Sequence, residues 1–323
     1  MKTRRLGNTG LQLTTVGFGT WPMAGPGKTG WGPQDDKDSM TSIRRGLEGG
    51  INWIDTAPGY GEGHAEVVVG KAIKGLSPRP IIATKCFFLW KEDGTSEFGL
   101  DKKRVRIQCE NSLKRLDIDD IDMYMMHWPD PLKDIEEGWE TLVALQKEGK
   151  VRNIGVSNFT IEQMELLKPI HPIGFLEPPY SMIRREVENE LLGYCKKNDI
   201  GVVVYSSLQQ GLLTGAIKSI DDLAPDDVRR HNPLFQEPVF GANLELVREL
   251  TPIAKKYGRS VAQLAIAWIL RRPEVTSAIT GPRVPSEIED TIKAGEWKLN
   301  KEDITAIEKL LEKRQKALSS GQK

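Results

Sequence analysis

The sequence predicts an α/β fold in which one domain, residues 1–323, forms a closed (β/α)8 TIM barrel. Three observations predict it: eight short apolar runs recur, segments of helical periodicity separate them, and each run ends in a small or polar residue. Runs that are apolar at nearly every position are typical of parallel strands buried on both faces, and their alternation with helices is typical of right-handed crossovers. Eight such strands can close into a barrel, which leaves no exposed sheet edge.

The eight apolar runs are the predicted strands. In chain order they are 13–20 (LTTVGFGT), 51–57 (INWIDTA), 80–85 (PIIATK), 121–127 (IDMYMMH), 152–158 (RNIGVSN), 172–177 (PIGFLE), 201–207 (GVVVYSS) and 276–281 (TSAITG). An open, doubly wound sheet is the alternative arrangement of such strands. That fold normally carries a G-x-G-x-x-G turn after its first strand, and GFGTWPMAG at 17–25 lacks this pattern, so the barrel is favoured.

Helical spacing of apolar residues predicts helices between the strands. Two examples are the sets Val105, Cys109, Leu113, Leu116 and Ile135, Trp139, Leu142, Val143. Capping boxes predict two helix starts, because an N-cap hydroxyl and a Gln or Glu three residues later satisfy free backbone donors. The two pairs are Thr160 with Gln163 and Ser286 with Glu289.

Three segments lie outside this repeat. Residues 1–12 predict an N-terminal β-hairpin with a GNTG turn that closes the amino end of the barrel. Residues 208–243, with three prolines, predict a long loop after the seventh strand that acts as a functional lid, because compact barrels rarely contain long irregular connections. The polar tail after about Ala317 is expected to fray.

Composition and charge exclude several classes of protein. Hydrophobic residues make up 39% of the chain, enough for a large core, and Lys plus Arg equal Asp plus Glu at 45 each. Zero formal charge argues against a nucleic-acid partner or an anionic membrane surface. The amino terminus lacks a signal-peptide pattern, and the three cysteines are widely spaced, so we expect a cytoplasmic protein without disulfides.

Ionisable side chains stand at the ends of three predicted strands. Asp55 ends the second strand, Lys85 the third and His127 the fourth, and Tyr60 lies on the loop after the second. Because barrel active sites lie at the carboxyl ends of the strands, these four should meet at one mouth. Taken singly, each has a structural explanation, such as a turn cap, a packed ring or a snorkelling lysine. Together they favour a site, because a buried lysine needs an acidic partner.

These four residue types can perform carbonyl reduction. An adjacent ammonium lowers the pKa of a phenol, so Lys85 is expected to make Tyr60 a better proton donor. Asp55 would keep Lys85 charged, and neutral His127 would donate a hydrogen bond to the substrate carbonyl. Other chemistries have weaker signals: the chain has no G-x-S-x-G, and its histidines, His64 included, form no H-x-H or H-E-x-x-H pattern, so no metal is expected.

Five motifs together resemble those of the aldo-keto reductases. They are IDTAPGYG (54–61), Lys85 of IIATK, His127 of MMHWPD, GVSNF (155–159) and YSSLQQGLLTG (205–215). The resemblance runs in order from GFGTW to the helix after GPR, and such a set is far more specific than one motif. It implies a reductase of small carbonyl compounds or sugars, in which Tyr60 is the general acid, Lys85 and Asp55 tune it, and His127 orients the substrate.

The resemblance also implies an extended nicotinamide dinucleotide bound without a Rossmann fold. NADP(H) is expected because Arg283 matches the element that faces the 2'-phosphate, and NAD(H) is the alternative. Ser157 and Asn158 match the pair that binds the carboxamide, and Tyr205 matches the aromatic that stacks on the ring. The implied cofactor residues are Gly19, Thr20, Trp21, Asp55, Ser157, Asn158, Glu177, Tyr205, Ser206, Ser207, Leu208, Gly211, Leu213, Gly281, Arg283, Glu287 and Thr291.

Two positions depart from the family pattern. Glu177 stands where the family usually has glutamine, and an ionised glutamate there would favour the oxidised, positively charged nicotinamide. Glu287 stands where relatives more often carry Gln or Arg, and Thr291 replaces a common Asn. An acid beside the phosphate site weakens the argument for NADP(H), because Glu287 can instead accept a hydrogen bond from a ribose hydroxyl.

Aromatic residues are expected to wall the substrate pocket. They are Trp21, Phe87, Trp90 and Trp128, with Phe88 and the lid beside them, and packing at the barrel rim is the alternative for the two phenylalanines. Two other functions compete with the reductase: a nucleotide-binding regulatory subunit with little turnover, and a lyase with a Schiff base on Lys85. The sequence leaves the oligomeric state open.

Overall fold

The computed structural model describes residues 1–25, 32–90, 95–225 and 227–320. Within them the strands are β1 (Thr3–Arg5), β2 (Gln12–Thr14), β3 (Val16–Gly19), β4 (Trp53–Asp55), β5 (Ile81–Cys86), β6 (Phe88–Trp90), β7 (Ser96–Phe98), β8 (Ile121–Met126), β9 (Val151–Ser157), β10 (Phe175–Glu177), β11 (Gly201–Val204) and β12 (Ser277–Thr280). Eight of them, β3, β4, β5 and β8 to β12, close into a barrel in chain order. Each barrel pair is parallel, which confirms the predicted TIM barrel and all eight predicted strands.

Helices cover the outside of the barrel. They are α1 (Asp36–Glu48), α2 (His64–Ile73), α3 (Lys102–Leu116), α4 (Ile135–Lys147), α5 (Ile161–Leu167), α6 (Leu191–Lys197), α7 (Val239–Lys255), α8 (Val261–Leu270), α9 (Pro285–Thr291) and α10 (Lys301–Ser320). Among the described helices, none combines the length and the apolar character that crossing a bilayer requires. The apolar residues that predicted α3 and α4 are buried or half-buried against the barrel, as their spacing indicated.

One predicted helix start is confirmed and the other is wrong. Thr160 accepts from the Gln163 backbone while the Gln163 side chain accepts from the Thr160 backbone, which is a complete capping box. The second pair fails because the N-cap is Val284, two residues before Ser286, and α9 starts at Pro285. Proline is favoured at the first helical position because its ring fixes φ at a helical value and the position needs no N–H donor.

The N-terminal hairpin is confirmed and closes the amino end of the barrel. β1 and β2 pair antiparallel. The turn between them rests on the first residues of β10 and β11: a Cβ on Gly7 would lie 2.2 Å from the backbone nitrogen of Gly201, and Asn8 donates to the Ile173 carbonyl over 3.1 Å. Only glycine fits at position 7, where φ is also positive at 47°.

A second hairpin, β6 and β7, was missed by the sequence patterns. It follows the third barrel strand, and its two strands pair antiparallel from Phe88 with Phe98 to Trp90 with Ser96. Residues 91–94, between the two strands, are outside the described residues. The hairpin places aromatic side chains above the barrel mouth.

The long loop after the seventh barrel strand is confirmed, with different bounds. It ends where α7 begins at Val239, four residues before the predicted end at 243. Short 3-10 turns run through it, and it has a small core of its own, made of Leu212, Ile217, Leu223, Phe235 and Phe240. Asp226 is outside the described residues. The loop is therefore folded against itself as well as against the barrel.

The expectation of fraying after about Ala317 is wrong for the residues that the structure describes. Helix α10 continues to Ser320, and it lies against α7. Residues 321–323 of the predicted tail are outside the described part of the chain.

Candidate active site

The alternation of side chains along the barrel strands explains why polar residues lie together at the mouth. Residues two apart on a strand share a face, so the residue two positions after a core residue also points inward. Trp53, Ala83, Met125, Phe175 and Val203 belong to the inner core. Two positions further along their strands or just beyond them lie Asp55, Lys85, His127, Glu177 and Tyr205. One regular pattern thus brings the polar residues to the mouth.

Lys85 is the centre of this group. Its side chain is fully buried, and its Nζ bonds to Asp55 Oδ1 and donates to the Thr56 carbonyl at 3.2 Å. The same ammonium lies 3.2 Å from Glu177 Oε1 and 3.4 Å from Tyr60 Oη. A single cation therefore contacts two carboxyl groups and the phenol, as the sequence predicted for Asp55 and Tyr60.

A tight turn presents Tyr60 to this cation. The Tyr60 N–H donates to the Ala57 carbonyl at 3.1 Å, and Trp90 Nε1 donates to the Pro58 carbonyl at 2.7 Å. Gly61 allows the chain to pass the first strand's loop, because a Cβ there would lie 2.2 Å from the Ala24 carbonyl oxygen. The IDTAPGYG sequence therefore encodes both the carboxylate and the turn that positions the phenol.

The pKa of Tyr60 moves opposite to the sequence expectation. Burial raises it strongly, Lys85 lowers it, and the carboxyl groups of Asp55 and Glu177 raise it again, so the net direction is upward. Lys85 lowers the pKa of Tyr60, as predicted, but this effect is smaller than the effect of burial. Although burial opposes its charge, Asp55 and Glu177 raise the pKa of Lys85 well above its usual range, so the ammonium persists.

Asp55 and Glu177 are a coupled pair of buried carboxyl groups. Burial raises the pKa of both, and Lys85 opposes this in each. The interaction between the two carboxyls lowers the pKa of Asp55 and raises that of Glu177, which reaches about 8. This raised pKa favours a neutral Glu177 carboxyl in the enzyme without cofactor, rather than the ionised form considered from the sequence, and a neutral carboxyl can donate a hydrogen bond.

His127 is neutral, as predicted. Burial and then the Lys85 charge lower its pKa well below the usual value. Its ring lies 6.1 Å from the Tyr60 ring, centroid to centroid, and is stacked on Trp128 at 5.9 Å. Its Nδ1 is buried and has no hydrogen-bond partner among the described residues. A polar atom in that state is suited to a ligand.

A cavity of about 420 Å³ opens beside Tyr60 and runs along the barrel rim to α9. The predicted residues that line it are Gly19, Trp21, Asp55, Tyr60, Tyr205, Ser206, Ser207, Leu208, Gly211, Gly281, Arg283, Glu287 and Thr291. Those that do not line it are Thr20, Lys85, His127, Ser157, Asn158, Glu177 and Leu213. Most of this second set lies behind the first: the Tyr205 hydroxyl donates to Asn158 Oδ1 over 2.7 Å, and Ser157 Oγ donates to the Glu177 carbonyl over 2.9 Å.

A turn with an unusual backbone conformation forms one wall of the cavity. Ser206, Gln209, Gln210 and Gly211 all have positive φ, between 46° and 90°. Closely spaced residues of this kind are typical of turns whose N–H groups bind anions. At the opposite wall, a Cβ on Gly281 would lie 2.9 Å from Pro22, so the two rims approach there only because position 281 is glycine.

Arg229 is a lining residue that the sequence patterns missed. It is 9% exposed, forms an ion pair with Asp227 at 2.7 Å and donates to the Gln210 carbonyl at 3.0 Å. It therefore holds the lid loop against the turn that contains Gln210. The close D-x-R spacing within the predicted lid was the signal available for it.

Arg283 and Glu287 meet at the far end of the cavity. The Arg283 side chain donates to Gln34 Oε1 at 3.2 Å and to the Pro33 carbonyl at 3.1 Å. Glu287 accepts from the Arg283 backbone N–H at 2.7 Å, and Thr291 donates to the Glu287 carbonyl at 3.0 Å. Glu287, which departs from the family pattern, therefore binds the backbone just before α9. Its carboxylate lies beside Arg283.

Aromatic rings surround His127 on the side away from this cavity. Phe88 is 5.5 Å from the His127 ring, whereas Phe87 is 7% exposed and packs against Phe88 and Phe98 at 5.0 and 5.6 Å. Phe88 therefore faces the site, and Phe87 supports it from behind. Trp128 is 40% exposed at the rim. Among the described residues, no group of three or more His, Cys, Asp or Glu side chains is arranged to hold a metal ion.

Comparison with known proteins identifies one family across most of the chain. The model of the aldo/keto reductase family matches residues 15–312. Aldo-keto reductase YhdN of Bacillus subtilis (strain 168) is 42% identical over 315 residues, which covers 97% of this chain and 94% of the relative. The NADH-specific methylglyoxal reductase of Escherichia coli (strain K12) is 34% identical over 326 residues and covers 97% of this chain and 99% of the relative.

Solved structures agree with these relatives. The glycerol dehydrogenase AKR11B4 from Gluconobacter oxydans matches with a TM-score of 0.87 and 33% identity, over 97% of this chain and 96% of that one. An aldo-keto reductase from Klebsiella pneumoniae, solved in complex with NADPH, matches with a TM-score of 0.75 and 28% identity, over 96% of this chain and 95% of that one.

Proposed function

The chain belongs to the aldo/keto reductase family and is an NAD(P)H-dependent oxidoreductase, and on this premise we propose that it interconverts small carbonyl compounds and their alcohols with Tyr60 as the proton donor. The observation that carries the proposal is the buried Lys85 ammonium, 3.4 Å from Tyr60 Oη. Aldehydes, ketones and sugars are the substrate class, and the methylglyoxal reductase and glycerol dehydrogenase among the similar proteins support small polar examples.

Each catalytic side chain has one role in the proposal. Tyr60 gives its hydroxyl proton to the carbonyl oxygen, and Lys85 stabilises the phenolate that remains. Asp55 holds Lys85 in its charged state, since the pair is buried together. Neutral His127 orients the carbonyl oxygen beside the phenol through a ring nitrogen. The bound nicotinamide supplies the hydride that the carbonyl carbon receives.

The raised pKa of Tyr60 is compatible with this role. A phenol with a high pKa is a weak acid in the free enzyme, but hydride addition turns the carbonyl oxygen into an alkoxide, which is a strong base. Lys85 then acts mainly after transfer, because an ammonium 3.4 Å away stabilises the new phenolate. Proton transfer from Tyr60 therefore depends on stabilisation of the phenolate as it forms, and not on a low pKa of Tyr60 in the free enzyme.

The cavity would hold NADP(H), with NAD(H) as an alternative cofactor. Ser157 and Asn158 would bind the carboxamide, with Tyr205 against the ring. The backbone from Leu208 to Gly215 would bind the pyrophosphate, and the positive φ values of Gln210, Gly211 and Gly215 support this. Gly281 and Arg283 would take the adenosine end, where Arg283 offers a charge for the 2'-phosphate.

A cytoplasmic setting is also part of the proposal. Cys86, Cys109 and Cys195 are free and buried, which suits a reducing compartment. The zero formal charge gives no general attraction to nucleic acid.

A panel of substrates tests the proposal. Aldehydes, ketones and sugars are supplied with NADPH or NADH, and alcohols and polyols with the oxidised cofactors, while absorbance of the reduced nicotinamide is followed. We expect the wild type to turn over small carbonyl compounds. We expect the Tyr60→Phe variant to lose most of this activity. Tight binding of the cofactor without turnover of any substrate would contradict it and would favour a regulatory subunit.

A further inference from the structure

Glu177 has a free polar atom in the core of the site. Glu177 is the last residue of β10, it is 2% exposed, and it does not line the cavity. Its Oε1 lies 3.2 Å from Lys85 Nζ. Its Oε2 is buried without a hydrogen-bond partner among the described residues. Glutamine, the usual residue of the family at this position, would offer the same shape without a proton that can be given up.

Glu177, Lys85 and Tyr60 form a continuous line. The steps are 3.2 Å from Glu177 Oε1 to Lys85 Nζ and 3.4 Å from Lys85 Nζ to Tyr60 Oη. Tyr60 lines the cavity, so this line joins a buried carboxyl to the place where a substrate would react. The first gap is within the reach that proton transfer requires, and the second is slightly longer, as is common for catalytic contacts that tighten once ligands bind.

We propose that Glu177 is the proton reservoir of the site, giving a proton to Tyr60 through Lys85 during carbonyl reduction and receiving one by the same route during alcohol oxidation. This role rests on the proposed function, because it supplies the proton of that reaction. Glu177 does not touch the substrate, and it acts only through Lys85.

The transfers balance in reduction. The carbonyl carbon gains a hydride, the Tyr60 O–H bond breaks, and its proton forms the O–H bond of the alcohol. Lys85 then passes a proton to Tyr60 Oη, and Glu177 passes its proton to Lys85 Nζ. Tyr60 and Lys85 end as they began, Glu177 ends as a carboxylate, and one proton is taken up from solvent before the next turnover.

The same line runs backwards in oxidation. The alcohol loses a hydride to the oxidised cofactor and a proton to Tyr60, whose own proton moves to Lys85 as Lys85 protonates the Glu177 carboxylate. The acceptor of the proton is then Glu177. This resolves a difficulty, because a buried tyrosine with a raised pKa is rarely ionised and cannot by itself accept the proton.

The charges around Glu177 support a proton that is held but can be lost. Asp55 of β4, Lys85 of β5, Tyr60 of the following turn and Tyr205 after β11 are the titratable groups that face it. Burial and then Asp55 raise the pKa of Glu177 to about 8, and Lys85 limits the rise. A carboxyl with this pKa holds its proton near neutral pH and loses it in mild alkali, so pH should change the relative rates of reduction and oxidation.

Infrared titration of the enzyme without cofactor tests the reservoir directly. A protonated carboxyl has its own C=O stretch, and we expect one such band to disappear with a midpoint near pH 8 in the wild type. The band should be missing in Glu177→Gln and present in Glu66→Gln, which removes a buried carboxyl that accepts from Thr84 instead. A band that survives in Glu177→Gln, or no band in the wild type, overturns the proposal.

Rate profiles against pH test the transfer. In the wild type, kcat for alcohol oxidation should rise with pH while kcat for reduction falls, because oxidation needs the Glu177 carboxylate and reduction needs its acid form. The Glu177→Gln variant should show neither pH dependence, and its rate of alcohol oxidation in alkali should fall by roughly 100-fold, the lower end of the range for general acid–base catalysis. Glu177→Asp should restore part of the oxidation rate. Unchanged profiles in Glu177→Gln overturn the inference. If instead the wild type turns over no substrate, the proposed function fails, and the infrared titration alone decides whether Glu177 holds the proton.

Discussion

The two ends of the barrel differ in how their charged and polar side chains are paired. At the amino end, Arg79 contacts both Asp120 and Asp122, and Asp122 also accepts from the Ile82 N–H at 2.9 Å. Arg152 donates to Asp120 over 2.6 Å, and this hydrogen bond holds the pKa of Asp120 below its usual value. Each of these charged side chains has an oppositely charged partner.

At the carboxyl end, polar groups are left unsatisfied. Of the buried side-chain atoms without a partner in the described residues, Thr20 Oγ1, Thr56 Oγ1, His127 Nδ1 and Glu177 Oε2 lie at this mouth, and Tyr124 Oη lies on the outer side of β8. An unsatisfied buried group costs about 1–3 kcal/mol. The contrast teaches that the amino end is arranged for stability, whereas the carboxyl end gives up stability to keep groups available for ligands.

The largest expected effect comes from removing the phenol at the carboxyl end. Tyr60→Phe should lower kcat by about 10²- to 10⁴-fold, because it removes the proton donor. The free energy of unfolding should change by less than about 1 kcal/mol, because the hydroxyl makes one long bond to Lys85. Steady-state kinetics and urea denaturation measure the two quantities. A variant that keeps full turnover would mean that another group donates the proton.

The opposite result is expected at the amino end. Asp122→Ala removes the acceptor of the Ile82 N–H and one partner of Arg79, so the free energy of unfolding should fall by about 2–3 kcal/mol. Turnover at a temperature where the variant is folded should be unchanged.

Asp119→Ala is the matched control for that variant. Asp119 is an exposed acid just before β8, so its loss should leave stability within about 0.5 kcal/mol. If Asp122→Ala lowered kcat while the protein stayed folded, the two ends would not be separate, and the comparison between them would fail.

The sequence could place the residues of the mouth but not their protonation. Asp55 and Lys85 were predicted together because apolar runs mark buried strands and strand ends meet at one mouth. The proton on Glu177 could not be foreseen, because it depends on Asp55 and Lys85, which are distant in the sequence and close only in the barrel. For the same reason the effect of burial on Tyr60 was missed.

Local signals failed where a neighbouring residue decided the outcome. Ser286 matched a capping box, but Pro285 starts the helix, two residues earlier than that box predicts. Phe87 and Phe88 were indistinguishable as a pair of rings in the sequence. The β6–β7 hairpin decides that Phe88 faces His127, since strand neighbours point to opposite sides.

The smallest predicted effect concerns the far end of the cavity, where Glu287 adds a charge beside Arg283. Glu287→Gln keeps a side-chain oxygen that can accept from the Arg283 N–H, so α9 should keep its start. Removing one negative charge near a bound 2'-phosphate should improve NADPH binding by about 1 kcal/mol, or roughly fivefold, and NADH binding much less. Glu289→Gln makes the same charge change on the same helix but outside the cavity, and it should leave both affinities unchanged. Fluorescence titration with each cofactor measures them. Equal gains for the two cofactors would mean that Glu287 acts through the shape of the α9 start and not through its charge. Its role would then be structural, like that of the charged residues at the amino end.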